Sequence, residues 1–274
     1  MPESTLSLSY PDLEAEVGYY AGWGRGAAYG SNAFTTDQQQ SIDTVIKQGL
    51  RMVYYPDPVD GQESAYSWSF LHPVAKLQVP NSTRTLPMPD DYGGIEGRIS
   101  VTLPGSVGNM YWPVEFVGVG QVYQAEANFP STTGRVEMAC VEPLKQTTPV
   151  AGQRFQLHVW PLPDQAYNLI FQYYVNPDAI TASLPFPLGG MMMAETIRAA
   201  CLAAAEVTLN DIMGGPNWQR FQARLIAAIS ADRRMKPQTL GYNGDRSDGY
   251  SSLYGREWPW NHYQDQITVN GVLY

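Results

Sequence analysis

At 274 residues the chain is long enough to bury a substantial core in one or two domains, with 44% of its residues apolar and only 16% charged. A formal charge of -9 excludes a general nucleic-acid binder, whose phosphate contacts need basic surface, although it suits a lumen through which DNA passes without sticking. So little charge implies a surface that is polar and uncharged, or covered by neighbours, and the 25 Gly, 21 Pro and 18 Tyr favour turns, extended connections and amphipathic contacts with partners.

The first residues, Met1 to Thr5, lack a basic segment followed by an apolar run, so no signal peptide is expected. Ser9 followed by Pro11 marks a helix start, with Asp12 and Glu14 in the positively polarised first turn. Leu13, Val17 and Tyr20 share one face of this helix, and Gly22-Trp23-Gly24 ends it. The glycine-rich stretch from Gly22 to Gly26 has neither the preceding strand nor the Gly-Lys-Ser/Thr of a phosphate-binding loop and reads as a loop between helices.

A second helix is expected from Thr36, whose spacing to Gln39 fits a capping box. Ile42, Val45, Ile46, Gly49, Leu50 and Val53 recur at helical spacing until Pro56 and Pro58 stop the helix.

From about Gln62 the period changes to alternation. Tyr66, Trp68 and Phe70 are expected on one strand face, with Ser67, Ser69 and Leu71 on the other. Further strands are expected at Ala75–Val79, Gly94–Leu103, Arg135–Val141, Arg154–Trp160 and Ala166–Val175. The last two, joined by Pro161-Leu162-Pro163-Asp164, read as a hairpin, and Val119 to Asn128 as a short helix between strands. Asp90-Asp91, after Leu86-Pro87-Met88-Pro89, reads as a turn cap rather than a paired acid site. Short strands with Gly/Pro turns imply an antiparallel sandwich or small barrel.

Helical patterning then returns. Met193, Ile197, Cys201, Ala204, Thr208 and Ile212 form a stripe ended by Gly214-Gly215, and Pro216 restarts a helix whose apolar side is Trp218, Phe221, Leu225 and Ile229. The short turn implies an antiparallel pair. The run Gly189 to Met213 comes nearest to a membrane span, but Glu195, Arg198, Glu206, Asn210 and Asp211 interrupt it. The other side of the last helix carries Arg220, Arg224, Arg233, Arg234 and Lys236, read either as a solvated face or as a contact with an acidic partner, protein ahead of DNA. Beyond Pro237 the chain is rich in Gly, Tyr, Asn and Asp yet retains Tyr254, Trp258, Trp260 and Tyr263, which favours an extended arm lying on a neighbour over a disordered tail. The expected fold is therefore α+β, a four-helix domain with an inserted antiparallel β-sandwich or small barrel and an extended C-terminal arm. Its expected parts are residues 1–61, the inserted 62–186, the helix pair 187–237 and the arm 238–274.

No catalytic constellation stands out, and no cofactor is expected. His72 precedes Pro73 at a strand end, His158 lies inside a strand and His262 in the arm, and none has a second ligand at metal spacing. Cys140 and Cys201 show no CxxC pattern and read as buried free thiols of a protein assembled in a reducing cytoplasm. Trp68, Trp112 and Trp160 on alternating strands read as core in preference to a sugar-binding platform.

Several stretches resemble head-to-tail adaptor (connector or neck) proteins of tailed bacteriophages. They are F-T-T-D-Q-Q-Q-S-I-D-T-V-I-K-Q-G-L-R-M-V-Y-Y-P at Phe34–Pro56, Y-S-W-S-F-L at Tyr66–Leu71, L-P-M-P-D-D-Y at Leu86–Tyr92, R-F-Q-L-H-V-W-P-L-P-D at Arg154–Asp164 and Y-N-L-I-F-Q-Y-Y at Tyr167–Tyr174, followed by the Ala-rich helix pair. The likeness runs from about Tyr10 to Lys236 and lies in the order and texture of the elements. It implies a structural virion protein without enzymatic activity, assembled in the host cytoplasm into a ring, typically a dodecamer. It further implies that the ring docks under the portal protein, joins a downstream tail or nozzle protein and passes DNA without reading its sequence. The C-terminal segment would reach into the portal. The competing expectation is a glycan-binding β-sandwich module of a tail fibre or other tail component, which leaves the helices without a role.

Overall fold

The computed structural model describes residues 4–24, 34–58, 65–104, 112–145 and 152–235, together with the backbone at 268–269 and 272–273. The chain divides into two units, Met1–Met235 and Lys236–Tyr274. In the second, strands at Thr268–Val269 and Val272–Leu273 pair antiparallel. The first unit is mixed α/β, with five α-helices among the described residues and a nearly closed sheet of seven strands.

Helix α1 (Tyr10–Tyr20) starts at Ser9, whose backbone N–H donates to the Asp12 carboxylate at 3.0 Å, with Pro11 in the first turn where no N–H is required. Helix α2 (Thr36–Tyr54) is capped one residue earlier than the sequence suggested. Thr35 accepts from the Gln38 N–H at 3.4 Å, and the Gln38 side chain accepts from the Thr35 N–H at 3.0 Å. Gln39, the expected capping partner, instead donates its amide to Glu14 and, at 3.1 Å, to the Tyr10 hydroxyl, so it fastens α2 to α1. The apolar stripe Ile42, Val45, Ile46, Gly49, Leu50 and Val53 is buried as its spacing requires.

Helices α4 (Gly190–Asn210) and α5 (Pro216–Met235) follow the sheet in the chain and pack on each other across the Gly214-Gly215 turn. α4 also packs on α1 and α2. Its small residues, Ala199 to Ala205, are buried and allow a close approach: a Cβ placed on Gly49 would lie 2.7 Å from the Cα of Cys201. One apolar cluster gathers Leu13 and Val17 from α1, the α2 stripe, Ile197 and the alanines of α4, and Phe221, Leu225 and Ile229 of α5. None of the helices is long and apolar enough to cross a membrane, among the described residues.

Tyr66, Trp68 and Phe70 do not form the expected strand. They run into a 3-10 turn at Ser69–Leu71 and join the helical cluster. Trp68 is fully buried and donates its indole N–H to the Val53 carbonyl at 2.7 Å, with the Tyr66 and Phe70 rings against it at 5.0 and 5.6 Å. Asp232 of α5 holds the same segment, accepting from the Tyr66 hydroxyl at 2.7 Å and the Ser69 N–H at 3.1 Å. Those partners take up backbone and side-chain groups that a strand would have turned to a neighbour, which overrides the alternating pattern.

The sheet is built from β1 (Val74–Val79), β2 (Thr85–Pro87), β3 (Tyr92–Thr102), β4 (Trp112–Phe116), β6 (Met138–Leu144), β7 (Arg154–Trp160) and β9 (Tyr167–Val175), in the order β1-β9-β3-β4-β6-β7-β2. Two further short strands, β5 (Thr133–Gly134) and β8 (Leu162–Pro163), pair with each other. The expected all-antiparallel arrangement fails twice: β5 and β8 pair parallel beside the sheet, and within it β4 and β6 run parallel. A parallel pair needs a crossover, and helix α3 (Val119–Asn128), at the residues expected, supplies it and packs on β6 and β7.

The expected hairpin of β7 and β9 is not formed. β7 pairs with β6 and β2, while β9 pairs with β1 and β3. The prolines between them cannot donate to a ladder, and Leu162–Pro163 is taken by β5, so the chain crosses the sheet rather than folding back on it. Asp90 and Asp91 form the expected turn before β3, where Asp91 accepts from the Tyr173 hydroxyl at 3.1 Å. The second apolar cluster, including Ile99, Val101, Leu157, Val159, Leu169 and Phe171, is built by this sheet.

Candidate functional site

Two surfaces of the helical part and one buried cluster in the sheet carry chemistry beyond simple packing. The basic side of α5 is only partly an outward face. Phe221, Leu225 and Ile229 turn inward; by helical spacing Arg220 and Arg234 lie opposite them and Arg224 flanks them, all exposed. Arg220 reaches Glu195 at 3.6 Å; Arg198 lies 3.8 Å from the same glutamate and 3.1 Å from Glu16, so one line of charges links α5, α4 and α1. Arg233 sits apart, its guanidinium 5.5 Å from the centre of the Tyr66 ring. The remaining expected partner-binding residues, Lys236, Tyr254, Trp258, Trp260 and Tyr263, lie outside the described residues, as does His262.

Apolar side chains are exposed in two places. Between α2 and α5 a groove of about 500 Å³ is lined by the exposed Tyr55, the half-buried Met52 and Trp218 and the buried Phe221 and Leu225, together with the polar Arg51, Asp57 and Gln222. Met52 and Trp218 also border an adjoining hollow of about 370 Å³ that includes Val207 and Met213, the latter 87% exposed. Elsewhere the segment leading into α4 and the first turn of that helix present Leu184, Phe186, Leu188, Met191 and Met192, each more than 40% exposed. The Tyr10 N–H donates to the Pro185 carbonyl at 2.7 Å and Ser4 approaches Met191, so the exposed Leu6 belongs to the same region.

The buried cluster was not legible as a site in the sequence. Cys140 and Glu142 lie two residues apart on β6 and so share a face, and His158 on β7 is the direct register partner of Cys140. All three are buried. His158 Nδ1 lies 3.0 Å from Glu142 Oε1, and Cys140 Sγ lies 3.8 Å from the same oxygen. The other carboxylate oxygen of Glu142 accepts from Gln156 at 2.9 Å and from the Tyr123 hydroxyl at 3.4 Å. On the far side of the imidazole, Nε2 faces Glu126 of α3 at 3.4 Å; the two are an ion pair in distance but not aligned as a hydrogen bond. Glu126 is itself paired with Arg84.

Burial pushes the Cys140 thiol up to about 11, and the Glu142 carboxylate beside it adds to the effect. For Glu142 burial acts upward, but the hydrogen bonds from Gln156 and His158 outweigh it and hold the carboxyl below its usual range. The cluster thus joins a sulfur, a nitrogen and an oxygen donor, all within 4.8 Å of one another. No histidine has a second ligand at metal spacing along the sequence, yet the fold brings Cys140 and Glu142 beside His158. Sequence spacing along one strand does not reveal a partner that the cross-strand register brings opposite.

The other residues singled out have ordinary packing roles. His72 contacts Glu96 and, at 2.7 Å, Ser67. Trp68 is core, and Trp112 lies under the Arg135 guanidinium at 5.0 Å. Cys201 is buried among the alanines of α4, which pushes its thiol up to about 12. The chain matches no known protein-family model, and no curated protein matches it.

Proposed function

We propose that this chain is a structural virion protein of a tailed bacteriophage: a ring-forming head-to-tail adaptor that docks under the portal and links it to the tail. The observation that carries the reading is the pairing of a strap of exposed apolar side chains, Leu184 to Met192, with an open, mainly apolar groove between α2 and α5. A closed ring makes heterologous contacts, so each subunit must present two different and complementary surfaces. In this reading the strap of one copy fills the groove of the next, and the anchors are the aromatic and methionine side chains that dominate such contacts. The order of elements that resembles phage adaptors supports the same assignment, as does the low charge.

In that ring, α1, α2, α4 and α5 form a four-helix body, and the sheet between α2 and α4 is an insertion. The outward arginines Arg224 and Arg234 and the segment from Lys236 onward serve the portal contact. The negative net charge lets DNA pass without binding.

Native mass spectrometry of the full chain, alone and mixed with the portal of the same phage, tests the proposal. The expected result is a defined ring, formed by itself or on the portal, that Phe186→Asp weakens at least tenfold. A chain that remains monomeric and never binds the portal overturns it.

A further inference from the structure

We propose that Cys140, Glu142 and His158 form a zinc site on the sheet face beneath α3. The donors are Cys140 Sγ, Glu142 Oε1 and His158 Nδ1. Zinc accepts this mixture of sulfur, nitrogen and oxygen, whereas calcium and magnesium take oxygen ligands. Bonds of about 2.0–2.3 Å to a tetrahedral ion place neighbouring donors roughly 3.2–3.8 Å apart. The separations already present, 3.0 Å from nitrogen to oxygen and 3.8 Å from sulfur to oxygen, bracket that range. The sulfur and the nitrogen lie within 4.8 Å of each other, so closing on the ion needs side-chain adjustments of up to about an ångström.

The surroundings match what a metal-bound histidine and carboxylate require. A ligating imidazole donates its other N–H to a carboxylate, and here Nε2 faces Glu126 at 3.4 Å, with Arg84 holding Glu126 in turn. Because Nε2 and Nδ1 lie on opposite sides of the ring, Glu126 orients the histidine and does not share its ion. Glu142 is held the same way, through Gln156 and Tyr123 on the oxygen not assigned to the metal. A buried histidine whose Nε2 has no aligned hydrogen-bond partner, with a thiol as its direct cross-strand neighbour, is poorly explained as packing alone. Three protein donors leave a fourth position for solvent. Binding displaces the thiol proton to water, so the site takes up one zinc ion and releases that proton. Cys140 and Glu142 sit on β6 and His158 on β7, so the ion would tie two adjacent strands, and α3 meets the site only through the Glu126–His158 contact.

The test uses the full chain, stripped with chelator and titrated with cobalt(II), then zinc. The expected result is a thiolate-to-cobalt charge-transfer band that saturates at one equivalent and disappears when one equivalent of zinc is added. Cys140→Ser, with its circular dichroism unchanged, loses the band; Glu126→Gln keeps it but binds 10- to 100-fold more weakly. No band in the folded chain, or a band that persists in Cys140→Ser, overturns the proposal. Should Cys140→Ser fail to fold, alkylation of the unaltered chain decides. Zinc must slow modification of Cys140 at least tenfold relative to the stripped protein, and equal rates overturn the site.

Discussion

Replacing Glu206 with alanine is expected to destabilise the fold by about 0.5–4 kcal/mol, the sum of a lost cap and a lost charge–dipole contact. Glu206 sits near the end of α4 with 2% of its surface exposed, and its carboxylate turns to the start of α5. One oxygen accepts from the backbone N–H of Asn217 at 3.1 Å and of Trp218 at 3.2 Å, in the first turn of that helix. These donors have no carbonyl partner within the helix, so a side chain from the preceding helix does what a capping residue normally does. Loss of such a cap costs about 0.5–2 kcal/mol, and a partly buried negative charge at a helix N-terminus contributes up to about 2 kcal/mol more. Gly215 keeps the space open, since a Cβ there would collide with the carboxylate. Urea unfolding followed by far-ultraviolet circular dichroism measures the effect. With a denaturant slope of about 2–3 kcal/mol per M, the midpoint should fall by roughly 1 M without a change in slope. Glu206→Gln, which keeps an acceptor but loses the charge, should fall between the two. A midpoint for Glu206→Ala within about 0.2 M of the unaltered chain would refute the capping argument.

Other perturbations test the packing. Gly49→Ala forces a Cβ to within 2.7 Å of the Cys201 backbone and should cost about 1–3 kcal/mol; an unchanged melting temperature contradicts the close α2–α4 approach. Trp68→Ala empties a fully buried site and removes the donor to the Val53 carbonyl, so a loss of about 3–5 kcal/mol is expected by calorimetry, whereas a solvent-facing strand residue would cost little. Burial pushes the phenols of Tyr54 and Tyr66 well above the usual tyrosine range, and for Tyr66 the hydrogen bond to Asp232 adds to it. Both bind their protons more tightly when folded, so their contribution is complete below about pH 10 and is lost as pH rises towards the folded values. Absorbance at alkaline pH should therefore show a fraction of the tyrosines ionising only together with unfolding, and a single titration well before unfolding would contradict the burial.

The helices were legible because their signals are local. The stripe from Ile42 to Val53, the Gly-Gly-Pro turn before α5 and the bounds of α3 each lie within a few turns of chain. The shift of the α2 cap has an equally local cause: Thr35/Gln38 and Thr36/Gln39 offer the same spacing, and only the contacts of Gln39 with α1 decide between them. Pairing was not legible. Strands β2 and β4 contain Pro87 and Pro113, which disguise them, and nothing in Arg154–Val175 shows that both edges of β9 are already taken by β1 and β3. The Tyr66–Phe70 alternation misled because Asp232, more than 160 residues later, takes that segment into the helical cluster. The Cys140, Glu142 and His158 cluster was hidden for the same reason, since its third member arrives through cross-strand register. Apolar exposure at Phe186 or Met191 has no sequence signature, because the same residue types also build the core.

The assignment as a neck adaptor is tested most directly by imaging the assembled phage particle by electron cryomicroscopy at a resolution that shows helices. The expected image is a closed ring of copies of this chain between portal and tail, with residues 184–192 of each copy seated in the α2–α5 groove of the next. A neck density that this fold does not fit, or a ring whose contacts leave both surfaces in solvent, would contradict it.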